Sequence, residues 1–167
     1  MNTLIELIEK LSVWMARISA VFLGLMTLLI LVEILLWNTI EKTTLIADEY
    51  CAYGLAAIIF LGAGYCLKEK GHIRITLLLG FLPPKLSRVI TFGATAVTTL
   101  FIGYLRWYLF KMVGSAVRYN STSGTLTNTP LWIPQTVMLI GAACFFIQLV
   151  GTTIKTYTAI ETEEEVV

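Results

Sequence analysis

Few residues in this sequence carry side chains suited to chemistry, and they are scattered along the chain. There is one histidine, His72, and the three cysteines, Cys51, Cys66 and Cys144, all lie in apolar runs without a CxxC pair. A zinc site needs about four ligands at local spacing, and this sequence does not supply them. It also shows no Ser/His/Asp set and no phosphate-binding loop. We therefore predict no catalytic, cofactor-binding or metal-binding residue, and no enzyme activity.

The charged residues beside apolar stretches are the remaining candidates. Glu33 follows a long apolar run, where it is either a proton or cation site or an interface residue paired with a neighbouring protein. Asp48 and Glu49 open the next apolar run, where the positive end of a helix dipole favours carboxylates. Arg106 and Lys111 are five residues apart, on helix faces separated by about 140°. We expect them to snorkel or pair rather than to bind a substrate together.

The amino-acid composition indicates whether the chain lies in water or in a membrane. Of the 167 residues, 57% are apolar and only 14% are charged, and the mean hydropathy is +0.80. These values exclude a disordered chain and disfavour a soluble domain, which needs a charged surface. The net charge of +1 leaves no basic footprint for nucleic acid. We predict a single membrane domain over residues 1–167.

Four stretches are long and apolar enough to cross a bilayer, which takes roughly 20 residues. They cover residues 12–37, 50–67, 86–113 and 131–154. The first residues lack the basic start of a signal peptide, so the first stretch is expected to be retained as a span. Residues 72–82 are apolar but too few to span, which predicts a short interfacial helix. The predicted fold class is an all-α integral membrane protein with four transmembrane helices and this interfacial amphipathic helix between the second and third.

The distribution of basic residues predicts the orientation. With four spans, both termini and the middle connection share one side, and eight of the twelve basic residues lie there. They are Lys10, Arg17, Lys68, Lys70, Arg74, Lys85, Arg88 and Lys155. The positive-inside rule therefore places both termini in the cytoplasm.

Small residues repeat on one face of the second and third spans. Small residues let helix backbones approach closely in lipid. The two sets are Gly54, Ala57, Leu61 and Gly64, and Gly93, Ala96, Leu100 and Gly103. The sequence leaves open whether each face packs within the chain or against a partner.

Three segments carry a resemblance to a known family. An acidic pair enters the second span at Asp48-Glu49-Tyr50, residues 68–75 read KEKGHIRI after that span, and residues 129–135 read TPLWIPQ at the entry to the fourth. In this order they resemble the small membrane subunit of TRAP transporters, the DctQ family. Ile46-Ala47 and Thr76 depart from the family's usual pattern and leave the subfamily open.

The resemblance implies a function. TRAP systems are secondary transporters of bacterial inner membranes, usually taking up carboxylate-bearing solutes such as sialic acids or C4-dicarboxylates with sodium. It implies two partners, a large membrane subunit that carries the solute and ion sites and a periplasmic substrate-binding protein. The small subunit would pack beside the large one and widen its fixed scaffold, without a cofactor.

Candidate contacts with a partner or with phospholipid follow from this placement. They are Asp48, Glu49, His72, Arg74, Arg118 and Tyr119. The acidic pair and the Arg118 region would face the outside, toward the binding protein or the large subunit. The two residues of the KEKGHIRI segment would lie inside, where Arg74 can meet a lipid phosphate or a partner carboxylate.

Two other classes of protein fit a four-span chain. A small multidrug-type exporter would use Glu33 as its coupling carboxylate, although such a carboxylate lies mid-membrane and Glu33 lies near the end of its span. A structural tetraspan protein would be stable alone and would alter no uptake.

Overall fold

The computed structural model describes residues 2–69 and 83–164. These residues form four α-helices, which are α1 (Asn2–Ile40), α2 (Ala47–Lys68), α3 (Pro84–Arg118) and α4 (Trp132–Glu164). The prediction of an all-α fold with four membrane-spanning helices is confirmed. The predicted interfacial helix over residues 72–82 lies outside the described residues.

Each helix contains one predicted span, apart from Leu131 at the start of the fourth, and continues past it. The membrane-compatible parts run over Glu6–Ile40, Ala47–Lys68, Val89–Arg118 and Trp132–Thr156. At 1.5 Å per residue, the 22 residues of α2 measure about 33 Å, close to the thickness of a hydrocarbon core. The other three helices have 33 to 39 residues and extend beyond that thickness.

The helix starts follow local sequence signals. Asp48 and Glu49 occupy the first turn of α2, where carboxylates meet the positive end of the helix dipole. Pro84 stands at the start of α3, where proline costs no backbone hydrogen bond.

Helices α1, α2 and α4 pack as a three-helix group, and α3 attaches along α4. The residues most deeply buried in this group include Ala57 and Leu61 of α2 and Ala142 and Leu149 of α4. We call the end of the bundle at Ile40, Ala47, Arg118 and Trp132 the loop end, because the α1–α2 and α3–α4 connections lie there. The opposite end, at Asn2, Lys68, Pro84 and Glu164, is the terminal end.

Candidate functional site

The α3–α4 connection is a folded hairpin at the loop end. The Ser123 amide donates to the Thr129 carbonyl at 2.9 Å, and the Thr129 amide donates to the Ser123 hydroxyl at 3.0 Å. The Leu131 amide donates to the Ser121 carbonyl at 3.0 Å, which closes the base of the hairpin. Asn128 has φ 47°, a left-handed conformation that asparagine tolerates better than most residues. The connection is therefore held in a defined shape rather than left as a free loop.

The Glu49 carboxylate ties this hairpin to α2. It accepts hydrogen bonds from the Tyr53 hydroxyl at 2.8 Å and from the hydroxyls of Thr125 and Thr127 in the hairpin. Glu49 is only 9% exposed. A buried carboxylate is costly unless hydrogen bonds satisfy its oxygens, and these three hydroxyls do so.

A second layer of hydroxyls supports the first. The Ser123 hydroxyl lies 2.8 Å from the Thr125 hydroxyl, and the Thr129 hydroxyl donates to that of Thr127 at 3.1 Å. Each hydroxyl has one proton and two lone pairs. Threonines that donate to Glu49 can thus accept from Ser123 and Thr129, so that all four hydroxyls direct their protons toward one negative charge.

Hydroxyl groups rather than a cation hold Glu49. The ion pairs within residues 2–69 and 83–164 are Lys68–Glu69 at 3.5 Å and Lys155–Glu9 at 2.6 Å, both near the terminal end. Donation from neutral hydroxyls fixes the carboxylate geometrically, because each bond needs a particular oxygen-to-oxygen placement. The cluster therefore sets the position of the hairpin on α2. The oxygens of Glu49 face the chain's own loop, and its predicted contact with a partner stays a prediction.

Glu33 holds the other connection in the same way. Its carboxylate accepts hydrogen bonds from the hydroxyls of Thr43 and Thr44 and from the Thr44 amide, the last at 2.9 Å. Glu41 and Leu45 in this connection have φ values of 55° and 58°. Each loop at the loop end is thus held to a helix by its own glutamate, the α1–α2 connection by Glu33 and the α3–α4 connection by Glu49.

The remaining candidates at the loop end are exposed. Asp48 is exposed beside the buried Glu49, and Arg118 ends α3 with its side chain exposed. Tyr119 is 74% exposed, and Leu126 at the tip of the hairpin is 77% exposed. We use the name loop-end surface for five exposed residues at this end, some polar and some apolar. They are Asp48, Arg118, Tyr119, Leu126 and Trp132. His72 and Arg74 lie outside the described residues.

The predicted small-residue face of α2 lies inside the three-helix group. Gly54, Ala57, Leu61 and Gly64 are all buried. A Cβ atom added at Gly64 would lie 3.3 Å from the Ser12 hydroxyl of α1 and 3.8 Å from the Phe145 Cα of α4. Gly64 thus stands where the three helices approach one another.

Among residues 2–69 and 83–164, little covers the corresponding face of α3. Nothing lies within 4 Å of a Cβ added at Gly93, and Leu100 is 76% exposed. Ala96 is half-buried. Only Gly103 of this set approaches α4 closely, since its added Cβ would lie 3.1 Å from the Phe146 ring.

Two contacts between distant segments were not anticipated from the sequence. The Ser12 hydroxyl donates to the Gln148 side-chain oxygen at 2.9 Å, and both residues are buried. A Cβ at Gly141 would lie 2.6 Å from the Phe60 carbonyl carbon, so the backbones of α2 and α4 touch there. A glutamine inside an apolar stretch was the one available signal, because a polar group in lipid needs a partner.

Arg106 and Lys111 both lie within the membrane-compatible part of α3, each over an aromatic ring. Arg106 lies over the Phe146 ring at 5.5 Å, and Lys111 lies over the Trp107 ring at 5.0 Å. In the described part of the chain, no group of three or more His, Cys, Asp or Glu residues could hold a metal ion.

Four helices of this length and apolarity define a multi-pass membrane protein. The family described as tripartite ATP-independent periplasmic transporters, DctQ component, matches residues 26–159, which is most of the chain. The chain therefore belongs to the DctQ family and is the small membrane subunit of a TRAP transporter, a transporter component and not an enzyme. Comparisons with curated proteins and with solved structures gave no match.

Proposed function

We propose that this subunit serves a sodium-coupled transporter for carboxylate-bearing solutes, such as sialic acid or C4-dicarboxylates. In this proposal it works with a large membrane subunit and a periplasmic substrate-binding protein. Membership of the DctQ family supports the assignment. The subunit itself acts as a fixed scaffold and carries no solute site.

The observation that carries the scaffold role is a long uncharged run in every span. Residues 18–32, 50–67, 89–105 and 131–154 contain no Asp, Glu, Lys, Arg or His. The basic residues Arg106 and Lys111, inside the membrane-compatible part of α3, lie over aromatic rings. Transport of ions and carboxylates through a membrane protein characteristically uses ionisable groups at that depth. The solute and sodium sites are therefore expected in the large subunit.

The proposed location is the bacterial inner membrane with both termini in the cytoplasm. The excess of basic residues beside the terminal end supports this orientation. In this orientation the loop end faces the periplasm. There the loop-end surface contacts the binding protein or the periplasmic face of the large subunit. Asp48, Arg118 and Tyr119 are the proposed contacts, since they are exposed on loops that Glu33 and Glu49 hold in place. Arg74 stays a proposed contact with phospholipid or with the large subunit.

The hydrogen bonds of Glu33 argue against the small-exporter alternative. An exporter needs a carboxylate that is free to bind and release protons or solute at mid-membrane depth. Glu33 is instead occupied with Thr43 and Thr44 near the loop end of α1. We propose that its role is to anchor the α1–α2 connection.

Reconstitution tests the proposal directly. The large subunit would be placed in liposomes with and without this chain, the binding protein and labelled solute added outside, and a sodium gradient applied. We expect uptake only when all three proteins and the gradient are present. Uptake by this chain alone would contradict the scaffold role.

Three variants, one of them a control, make this experiment more specific. Glu33→Gln should leave uptake nearly unchanged, since an amide can still accept from the loop, whereas an exporter would lose transport. Arg118→Glu should raise the concentration of binding protein needed for half-maximal uptake. Lys10→Glu, a matched charge reversal near the terminal end, should leave that concentration unchanged.

A further inference from the structure

One face of α1 carries basic side chains near the terminal end. Lys10, Trp14 and Arg17 are four and three residues apart, a spacing that places them on the same side of the helix. All three are exposed, and they line a groove together with Lys68 in the last turn of α2. We call this feature the basic groove and define it by Lys10, Trp14, Arg17 and Lys68.

The depth of the basic groove matches the boundary between hydrocarbon and lipid headgroups. Arg17 directly precedes the uncharged run of α1 over residues 18–32, and Lys68 is the last residue of α2. Side chains on a helix lean toward its N-terminus, so Arg17 leans away from the hydrocarbon, and its guanidinium lies over the Trp14 ring at 5.9 Å. Trp14 is 62% exposed, and exposed tryptophan is typical of this boundary.

The charges of the basic groove leave an excess of cations. In the described part of the chain, the ion pairs use neither Lys10 nor Arg17. Lys68 is paired with the adjacent, exposed glutamate at 3.5 Å. Glu6 and Glu9 also line the groove, but the Glu9 carboxylate already forms the 2.6 Å ion pair with α4. Lys10 and Arg17 therefore outnumber Glu6, the remaining carboxylate of the lining.

An exposed apolar strip of α1 continues from the basic groove into the bilayer. Its side chains recur every three or four residues beyond Arg17 and are 36–61% exposed. They are Ile18, Val21, Leu25 and Leu28. An anion held in the basic groove thus has room for attached hydrocarbon along the same face of the helix.

We propose that the basic groove binds the phosphate of an anionic phospholipid whose acyl chains lie along this apolar strip. Basic pockets of membrane helices bind such headgroups, and bonds from lysine and arginine to phosphate are charge-assisted. A partner helix in the same place would remove Lys10 and Arg17 from water, which costs free energy unless carboxylates compensate both. The headgroup layer keeps both cations hydrated, and this difference favours the lipid.

Native mass spectrometry tests this proposal. The full chain, purified with the membrane partner that accompanies it and then delipidated, would be titrated with phosphatidylglycerol and separately with zwitterionic phosphatidylcholine. We expect the first phosphatidylglycerol to bind several-fold more tightly than phosphatidylcholine. Lys10→Gln with Arg17→Gln should weaken that binding by about fivefold for each cation removed. Lys42→Gln with Arg118→Gln, the same pair of changes at the loop end, should leave it unchanged.

A second readout needs no charge variant. A photoreactive residue in place of Val13, which lines the groove, should capture phospholipid in native membranes. Capture of another protein, or of another segment of this chain, would overturn the proposal. So would an equal loss of binding in the two pairs of variants, or equal affinity for the two lipids. Displacement by glycerol phosphate, which has the anion but no acyl chains, would indicate a site for a soluble anion and would also overturn it.

Discussion

Gly141→Ala is expected to destabilise the protein, because it adds a methyl group where two helix backbones touch. The new Cβ would lie 2.6 Å from the Phe60 carbonyl carbon and 2.8 Å from the Phe60 oxygen and Cβ. Carbon atoms pack at about 3.5–4.0 Å, so α2 and α4 would have to separate by roughly 1 Å. Since Ala142 and Leu149 are buried on α4, that movement would also loosen their packing. Overpacking of this kind costs about 1–3 kcal/mol.

Two other glycines provide graded controls for this experiment. A Cβ at Gly54 would lie 2.5 Å from the Met26 sulfur, but a methionine side chain is flexible and can move aside. Nothing lies within 4 Å of a Cβ at Gly93, where alanine is the better helix former by about 1 kcal/mol. The expected order of stability is Gly93→Ala first, Gly54→Ala second and Gly141→Ala last.

The assay is unfolding in mild detergent with increasing sodium dodecyl sulfate, followed by circular dichroism and by the change in tryptophan fluorescence. The midpoint should fall clearly for Gly141→Ala and stay unchanged or rise for Gly93→Ala. If Gly141→Ala unfolds at the same midpoint as Gly93→Ala, the close approach of α2 and α4 is refuted.

Substitutions at three other contacts give further predictions. Ser12→Ala should lower the free energy of unfolding by about 1–3 kcal/mol in the same assay, because it leaves the buried Gln148 oxygen without its donor. The double variant with Gln148→Leu should recover most of that loss. No recovery would mean that the two side chains do not interact. Glu49 anchors the hairpin, so Glu49→Leu should speed amide hydrogen exchange there by about tenfold or more, the equivalent of 1.4 kcal/mol. Glu49→Gln should speed exchange less, since its amide oxygen still accepts hydrogen bonds. Unchanged exchange in both variants would contradict the anchoring role. Lys155→Met should lower the free energy of unfolding by less than about 1 kcal/mol, because the ion pair of Lys155 with Glu9 is partly exposed. A larger loss would show that the ion pair is shielded from solvent in the membrane.

The existence of the four helices could be predicted from hydropathy alone, but their ends could not. Residues 2–11 and 155–164 continue α1 and α4 beyond the apolar stretches. Hydropathy measures which residues enter hydrocarbon, whereas a helix ends where its backbone hydrogen bonding ends.

Contacts between residues that are far apart in the sequence could not be predicted from it. Glu49 is 76 and 78 residues from the two threonines that bind it, and nothing local distinguishes a loop-anchoring carboxylate from one that only opens a helix. The small-residue faces of α2 and α3 are alike in spacing, yet among the described residues that of α2 is buried whereas that of α3 is mostly open. Which face is covered depends on the neighbours of each helix, and helical periodicity does not contain that information.

The central position of α4 has a consequence for biosynthesis. Helix α3 is made before α4 but finds its main packing surface only on α4, whereas α1 and α2 can pair as soon as both are inserted. At about 5–20 residues per second, the ribosome needs roughly 2–9 s to travel from the end of α3 to the end of α4. During that interval α3 waits in the bilayer with Gly93 and Gly103 open to lipid or to an insertase. Helix α4 must then insert between the α1–α2 pair and α3, and its insertion completes the packing of these four helices.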